Sequence, residues 1–291
     1  MYPTEFAYAA PATLAEAVQL LQQGNGEAKL LAGGQSLIPL LKLRLAEPGA
    51  LVDLRRIPEL QGIREEGDAV VLGAMTTYFQ ALESSVLGRR VPLLLEAIQQ
   101  VGDMQVRARG TVGGSLAHAD PAGDLPAVAL ALDAILTAVG PSGTRMIAAR
   151  DFFVEMLATA LKPDEVLTQV RFPAIDTPRT GSAYVKHRQP ASGYAVVGVA
   201  AVVGFDTDGF CRSARVAITG VGTKATRAMA VEQALGGKRL AEEDLAQAAT
   251  FAADGLDLMS DTYASADFRA HLARVLTRRA LAAAVQQARS R

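Results

Sequence analysis

Two glycine pairs are the residues best placed to do chemistry. The first lies in Ala32–Gly33–Gly34–Gln35–Ser36, after the apolar Leu30 and Leu31 and before Leu37. The second lies in Thr111–Val112–Gly113–Gly114–Ser115–Leu116–Ala117–His118–Ala119–Asp120–Pro121. A diphosphate needs close backbone N–H donors and no Cβ in the way. Paired glycines in a turn permit both, through positive φ and close approach. Gln35, Ser36, Thr111 and Ser115 add side-chain donors. Converging on one anion, the two turns would cradle the diphosphate of a dinucleotide. Neither contains Lys or Arg, so dipoles rather than full charges would hold it. The alternative at each pair is an ordinary turn, because Gly-Gly is a common turn signal. The G-x-G-x-x-G and G-x-x-x-x-G-K-S/T fingerprints are both missing.

Other candidates surround the second pair or follow it. Asp120 and Asp124 flank Pro121, and either can accept from a ribose hydroxyl. Asp124 also reads as the N-cap of a helix opening at Leu125–Pro126. His118 is an acid/base group or a packed loop histidine. Lys186–His187–Arg188 is a basic cluster suited to a cofactor edge, an anionic partner or the protection of a strand edge. Tyr184 and Tyr194 can stack on an aromatic ring or serve as sheet tyrosines. Arg107 and Arg109 lie near the second pair with no direction assigned. Gly220–Val221–Gly222–Thr223–Lys224 reads as a strand end turning into a helix.

Short α/β units must position these residues. Thr13 and Glu16 form a capping box for a helix with Leu14, Val18 and Leu21 on one face and Gly24 at its end. Lys29–Ala32 reads as a buried strand running into the first glycine pair. Pro39 is tolerable only in a first turn, so the next helix begins near Ser36 or Leu37. A strand at Leu51–Leu54 closes a first unit, residues 1–57. A second unit, residues 58–176, holds strands at Ala69–Gly73, Ala134–Val139, Arg145–Ala148 and Val166–Phe172. Its helices are Thr77–Leu82, Val91–Val101 and Asp124 to about Leu132. The turn-rich stretch Asp176–Ser182 marks a boundary. Beyond it, residues 177–291 hold strands Ala183–Arg188, Ala195–Phe205 and Cys211–Thr219, with a hairpin turn at Asp206–Gly209. Helices near 226–235, 241–254 and 265–289 follow, the last ending in Arg289–Ser290–Arg291. Strands followed by helices predict an α+β layer with helices on one sheet face.

The bulk numbers exclude several classes. The chain has 291 residues, enough for two or three domains, and 50% are hydrophobic. A net charge of −1 gives no overall pull toward nucleic acid or anionic membrane. The single cysteine, Cys211, excludes an intrachain disulfide or a Cys-ligated iron–sulfur cluster built by this chain alone. It reads as a small apolar filler. Three histidines give no basis for a metal site. No stretch approaches the ~18 apolar residues of a membrane span, and the N-terminus lacks a signal-peptide pattern. The expected location is the cytoplasm.

At Ala32–Pro39 and at Thr111–Pro126, which runs on through Ala122–Gly123–Asp124–Leu125–Pro126, the chain resembles the FAD-binding medium subunit of molybdenum hydroxylases. It resembles most the branch of aerobic carbon monoxide dehydrogenase, with xanthine dehydrogenase FAD subunits close by. Pro3–Tyr8, Arg44–Leu45, Leu161–Pro173 and Tyr184–Ala195 also fit, so the match spans nearly the whole chain. The resemblance implies a vanillyl-alcohol-oxidase-type FAD-binding fold, in two α/β subdomains, followed by a C-terminal α+β domain with a helix-covered sheet. The family's FAD positions fall on Leu30, Leu31, Ala32, Gly33, Gly34, Gln35, Ser36 and Leu37. They continue on Val101, Gly102, Thr111, Gly114, Ser115, Ala117, Asp124, Leu167 and Lys186. Asp120 and Tyr194 join them from the reading of the residues. One departure is Gly193, where many members carry an acidic residue. The implied cofactor is non-covalent FAD. The implied role is to take electrons from the 2Fe–2S clusters of a small subunit and pass them to an external acceptor. The molybdenum cofactor would sit on a large subunit, in a dimer of heterotrimers, free in the cytoplasm or peripheral to a membrane. No residue is required as acid, base or nucleophile. The alternatives are a stand-alone flavin oxidase of this fold, the FAD subunit of a xanthine or heterocycle dehydrogenase, and an assembly module that has lost FAD.

Overall fold

Among the described residues, three larger β-sheets and a two-stranded hairpin are built where the sequence alternates or runs apolar. In this computed structural model, residues 2–175 and 177–290 are described. Asp176 and Arg291, named above for a boundary turn and a helix end, lie outside the described residues. The first sheet is parallel, in the order β1 (Ala7–Ala9), β3 (Ala50–Asp53), β2 (Ala28–Leu31). Helix α1 (Leu14–Gln23) precedes β2, and α2 (Leu37–Leu43) crosses from β2 to β3. Thr13 caps α1 by accepting from Glu16 N, while Glu16 reaches one residue further back than a capping box, to Ala12 N. Pro39 sits in the first turn of α2, as its missing N–H demands. The core under this sheet also takes in Leu60, Met75 and Val166. The first two units are therefore packed as one body.

The second sheet is antiparallel and five-stranded. Its order is β4 (Ile63–Glu66), β5 (Ala69–Gly73), β10 (Val166–Pro173), β6 (Ile135–Gly140), β7 (Gly143–Ala148). Between β5 and β6 the chain forms α3 (Tyr78–Leu82), α4 (Ser85–Arg90), α5 (Pro92–Gln99), α6 (Met104–Arg109), α7 (Val112–His118) and α8 (Asp124–Ala131). After β7 come α9 (Ala149–Phe152) and a small hairpin of β8 (Phe153–Glu155) and β9 (Ala158–Thr159). All eight residues of α8 are buried, so the helix lacks the amphipathic period that identifies a surface helix.

The third sheet is antiparallel: β11 (Thr180–Arg188), β12 (Ala195–Phe205), β13 (Cys211–Thr219) and β14 (Thr226–Arg227). It is followed by α10 (Met229–Leu235), α11 (Glu242–Ala249) and α12 (Ala266–Ser290). Two expectations are corrected here. Thr180–Ser182, read as turn, belong to β11, because Thr180–Gly204 to Ser182–Val202 pair across the sheet. Thr226–Arg227, read as helix, form the edge strand β14 against β13. The helices α10–α12 lie on one sheet face, as expected, and helices of the second unit cover the other. Ala183, Val197, Val199, Ala201 and Val203 pack under α10–α12, while Tyr184, Ala200 and Val202 pack into the core containing α5 and α8. Every residue of β12 is consequently buried, which is why it reads as an unbroken apolar run. Cys211 is buried in this domain. No described helix is long and apolar enough to cross a membrane.

Candidate cofactor-binding cleft

The two glycine motifs meet, although one of them is not a turn. Gly33 and Gly34 follow β2 and precede α2, as expected, and Gly34 adopts φ +75°. Gly113 and Gly114 instead lie inside α7. Thr111 is its N-cap, and its side chain accepts from Gly114 N at 3.0 Å. Their value is therefore close approach rather than positive φ. A Cβ on Gly113 would stand 2.6 Å from the Ala74 carbonyl oxygen. The start of α7 is stitched to the end of β5 by Val112 N to Thr76 O at 3.0 Å and Gly113 N to Ala74 O at 2.9 Å. On the other side, a Cβ on Gly33 would stand 2.2 Å from Arg109 O, and one on Gly114 would stand 3.3 Å from Ala32 Cβ. The first motif is thus docked directly on the second.

Between them opens a cleft of about 760 Å³, within the ~300–1,000 Å³ of ligand pockets. It is lined by Leu30, Ala32, Gly33, Gly34, Gln35, Ser36 and Leu37 from the first motif. From the second come Thr111, Gly114, Ser115, Ala117, His118, Asp120 and Asp124. Val101, Gly102, Leu167, Gly193 and Tyr194 complete it. Two of the proposed positions stay outside the lining. Leu31 is the last residue of β2, and its Cδ1 backs Gly34. Lys186 has a fully buried side chain. Reading the residues alone missed Lys29 and Lys162, which also line the cleft and supply full positive charges where only dipoles were expected. Lys29 was legible as the one charged residue of an otherwise apolar strand. Lys162 reaches the cleft only through the folding of the segment between β9 and β10.

The third domain helps to build the wall. Thr219 Oγ1 lies 2.7 Å from the Pro121 carbonyl oxygen and 2.8 Å from that of Gly123. Ala195 N donates to Ala122 O at 3.2 Å. These bonds hold the 120–124 turn in place. Asp120 accepts from Ala122 N at 2.8 Å, an Asx turn, and His118 Nε2 stands 3.9 Å from its other oxygen. Tyr194, from the loop after β11, lines the cleft together with Ser36, and burial holds its phenol above the usual range. Gly193 lines the same rim at φ +74°.

Asp124 departs from its reading as an N-cap. Gly123 is the cap and Asp124 is the first helical residue. Its side chain is committed elsewhere: Oδ1 accepts from Tyr184 Oη at 2.5 Å and Oδ2 from Lys186 Nζ at 2.9 Å. Burial raises its pKa above the ordinary carboxylate range, against the opposing pull of Lys186, Tyr184 and Arg188. Tyr184 is therefore a buried sheet tyrosine and not a stacking surface. Arg107 is not in the lining; it donates to Val101 O at 2.9 Å and Gly102 O at 3.2 Å. It ties α6 to the loop before it.

The residues fit a large anionic cofactor. Backbone approaches unobstructed by Cβ, hydroxyl donors on both walls, flanking lysines and an apolar floor at Leu167 and Met75 suit a diphosphate with an aromatic head. Such a cleft between a parallel and an antiparallel α/β unit suits a flavin dinucleotide. Comparison with known proteins agrees. Residues 4–175 match the FAD binding domain in molybdopterin dehydrogenase, and residues 182–284 match the CO dehydrogenase flavoprotein C-terminal domain. The carbon monoxide dehydrogenase medium chain of Hydrogenophaga pseudoflava is 40% identical, with 98% of each chain covered. The 6-hydroxypseudooxynicotine dehydrogenase complex subunit alpha of Paenarthrobacter nicotinovorans is 37% identical, covering 99% of this chain and 97% of that one. A solved carbon monoxide dehydrogenase from Hydrogenophaga pseudoflava, lacking the Mo-pyranopterin moiety of its cofactor, aligns with a TM-score of 0.95. It is 42% identical, covering 99% of both chains. The chain belongs to the family of FAD-binding flavoprotein subunits of molybdopterin dehydrogenases.

Proposed function

We propose that this chain is the FAD-bearing electron-transfer subunit of a heteromeric molybdenum hydroxylase. The observation that carries the reading is the convergence of both glycine motifs on one cleft, with Gly33 seated against the Arg109 backbone. Bound FAD supplies the redox chemistry, accepting electrons from one partner and releasing them to another. The chain's own residues bind, orient and shield it. Gly33, Gly34 and the start of α7 bring backbone close to the diphosphate. Gln35, Ser36, Thr111 and Ser115 present polar side chains from both walls. Asp120 is placed to accept from a ribose hydroxyl, and Tyr194 closes one rim against the aromatic head. Leu30, Leu31, Ala32, Leu37, Val101, Gly102, Gly114, Ala117, Asp124 and Leu167 complete the site, with Lys186 behind it.

The single cysteine leaves iron–sulfur chemistry to a small partner subunit and substrate oxidation to a large molybdenum-bearing one. We place the assembly as a dimer of heterotrimers, free in the cytoplasm or peripheral to a membrane. We divide the chain at residues 1–57, 58–176 and 177–291, with the first two forming the FAD-binding fold. Relatives of near-equal identity are named for carbon monoxide and for a nicotine derivative. The choice of substrate therefore belongs to the large subunit, and within that range we favour the carbon monoxide dehydrogenase type.

Purifying the full chain alone and with its co-expressed partners tests this. The chain alone should carry oxidised-flavin absorbance and show no turnover of organic substrate. Its flavin should be bleached by substrate only in the complex. A colourless chain that refuses added FAD, or substrate turnover by the chain alone, would overturn the assignment.

A further inference from the structure

Lys186 occupies the position where a cation would be expected to touch the cofactor, yet 0% of its side chain is exposed. Its ammonium donates to Asp124 Oδ2 at 2.9 Å and to the Gln100 carbonyl at 3.1 Å. The second carboxylate oxygen accepts from Tyr184 Oη at 2.5 Å. Of these three side chains, Asp124 alone lines the cleft. Lys186 and Tyr184 stand two residues apart on β11, so both project from the same face of that strand. They meet the first residue of α8 from behind.

We propose that Lys186 and Tyr184 are positioning residues that keep Asp124 ionised and fixed in the cleft wall, and that Lys186 influences the bound cofactor only through Asp124. The inference rests on FAD occupying this cleft. A buried carboxylate without a counter-charge gives up its ionisation. Around Asp124, α3 contributes the phenol of Tyr78 and the loop after β11 contributes that of Tyr194, both neutral near pH 7. Arg188 acts on it from further along β11 without a hydrogen bond. Among the described residues, the full positive charge in contact with Asp124 is that of Lys186. With it, the carboxylate has a counter-charge 2.9 Å away. Without it, burial favours the protonated carboxyl, and the wall gains its negative charge only as pH rises. The wall of a diphosphate site would then turn negative, and the affinity for anionic FAD would fall as pH rises.

The test uses the full chain stripped of flavin and titrated with FAD, with Kd read from quenching of flavin fluorescence between about pH 6 and about pH 9. Lys186→Met should lose at least about fivefold more affinity across that range than the wild type does. Lys186→Arg should keep the wild-type profile, and Lys186→Met combined with Asp124→Asn should abolish the extra pH dependence. A wild-type profile in Lys186→Met overturns the inference, as does extra dependence that persists in the double variant. If Lys186→Met does not fold, Tyr184→Phe serves instead. It removes one donor and should show a smaller change in the same direction, and an unchanged profile there is equally fatal. Wild-type chain that quenches no flavin at any pH would mark failure of the FAD assignment, not of the role of Lys186 alone.

Discussion

Replacing Gly33 with alanine should force the two walls of the cleft apart. The ideal Cβ position is 2.2 Å from Arg109 O, 2.9 Å from Arg109 C and 2.9 Å from Gly110 Cα. All three are backbone atoms, and the opposing segment is pinned by Tyr78 N donating to Gly110 O at 2.9 Å. No rotamer change relieves the overlap. Restoring ordinary carbon–oxygen contact requires the walls to part by roughly 1 Å. Overpacking of this kind costs about 1–3 kcal/mol, equivalent to about 5–150-fold in Kd if it falls wholly on the bound state. Titration of flavin-free chain with FAD, followed by fluorescence quenching, measures the loss directly. Thermal unfolding of the flavin-free form shows how much of the cost falls on the fold instead. Two controls separate overlap from strain. Gly34→Ala meets the tip of Ile38, which can rotate, and bears the penalty of φ +75°. Gly62→Ala carries φ +99° with nothing within 4 Å of its Cβ and does not line the cleft. Affinity should fall most for Gly33→Ala and stay unchanged for Gly62→Ala. A Gly33→Ala chain binding FAD within about twofold of wild type, with an unchanged melting temperature, refutes the claim that this contact sets the cleft.

Thr111→Val removes the cap that receives Gly114 N and should cost about 1 kcal/mol of local stability. Flavin affinity should weaken by a few-fold in the same titration, and equal affinity would argue against a role for the start of α7. Arg269 is buried and donates to Val196 O at 2.7 Å, and also to Gly220 O and Asp261. Arg269→Met leaves these carbonyls unpaired and should lower stability by about 2–4 kcal/mol in denaturant unfolding; a loss below about 1 kcal/mol would contradict it. Glu165 is held below its ordinary value chiefly by the Arg145 guanidinium, at 2.7 Å to both carboxylate oxygens. A lowered folded-state pKa means that this stabilisation is present above the ordinary glutamate value and is lost as pH falls through the folded value. The melting-temperature gap between wild type and Glu165→Gln should therefore be widest near pH 7 and shrink below about pH 4.5. A gap independent of pH would refute the ion pair's contribution.

Much of this protein is written in local pattern. The strands Ala69–Gly73, Ala195–Phe205 and Cys211–Thr219 end at the residues their apolar runs indicate. Pro39 sets the start of α2, and Asp206–Gly209 makes the hairpin turn. The two glycine motifs, read together, also carry the family resemblance. These features depend on neighbours in the chain, through backbone sterics and period. What the chain could not announce depends on partners far along it. Gly113 and Gly114 resemble a turn in isolation, but the cap from Thr111 and the docking of Val112 and Gly113 on Thr76 and Ala74 make them helix. Asp124 has the type and place of an N-cap, yet β11 arrives about sixty residues later with a tyrosine and a lysine that claim both its oxygens. Lys186 looks like exposed charge at a strand end, and its burial follows from α5 and α8 covering that face of the sheet. Local sequence determined which segments are rigid and which can approach an anion. Only tertiary packing decided which polar groups would be desolvated, because desolvation depends on what covers a residue and not on what precedes it.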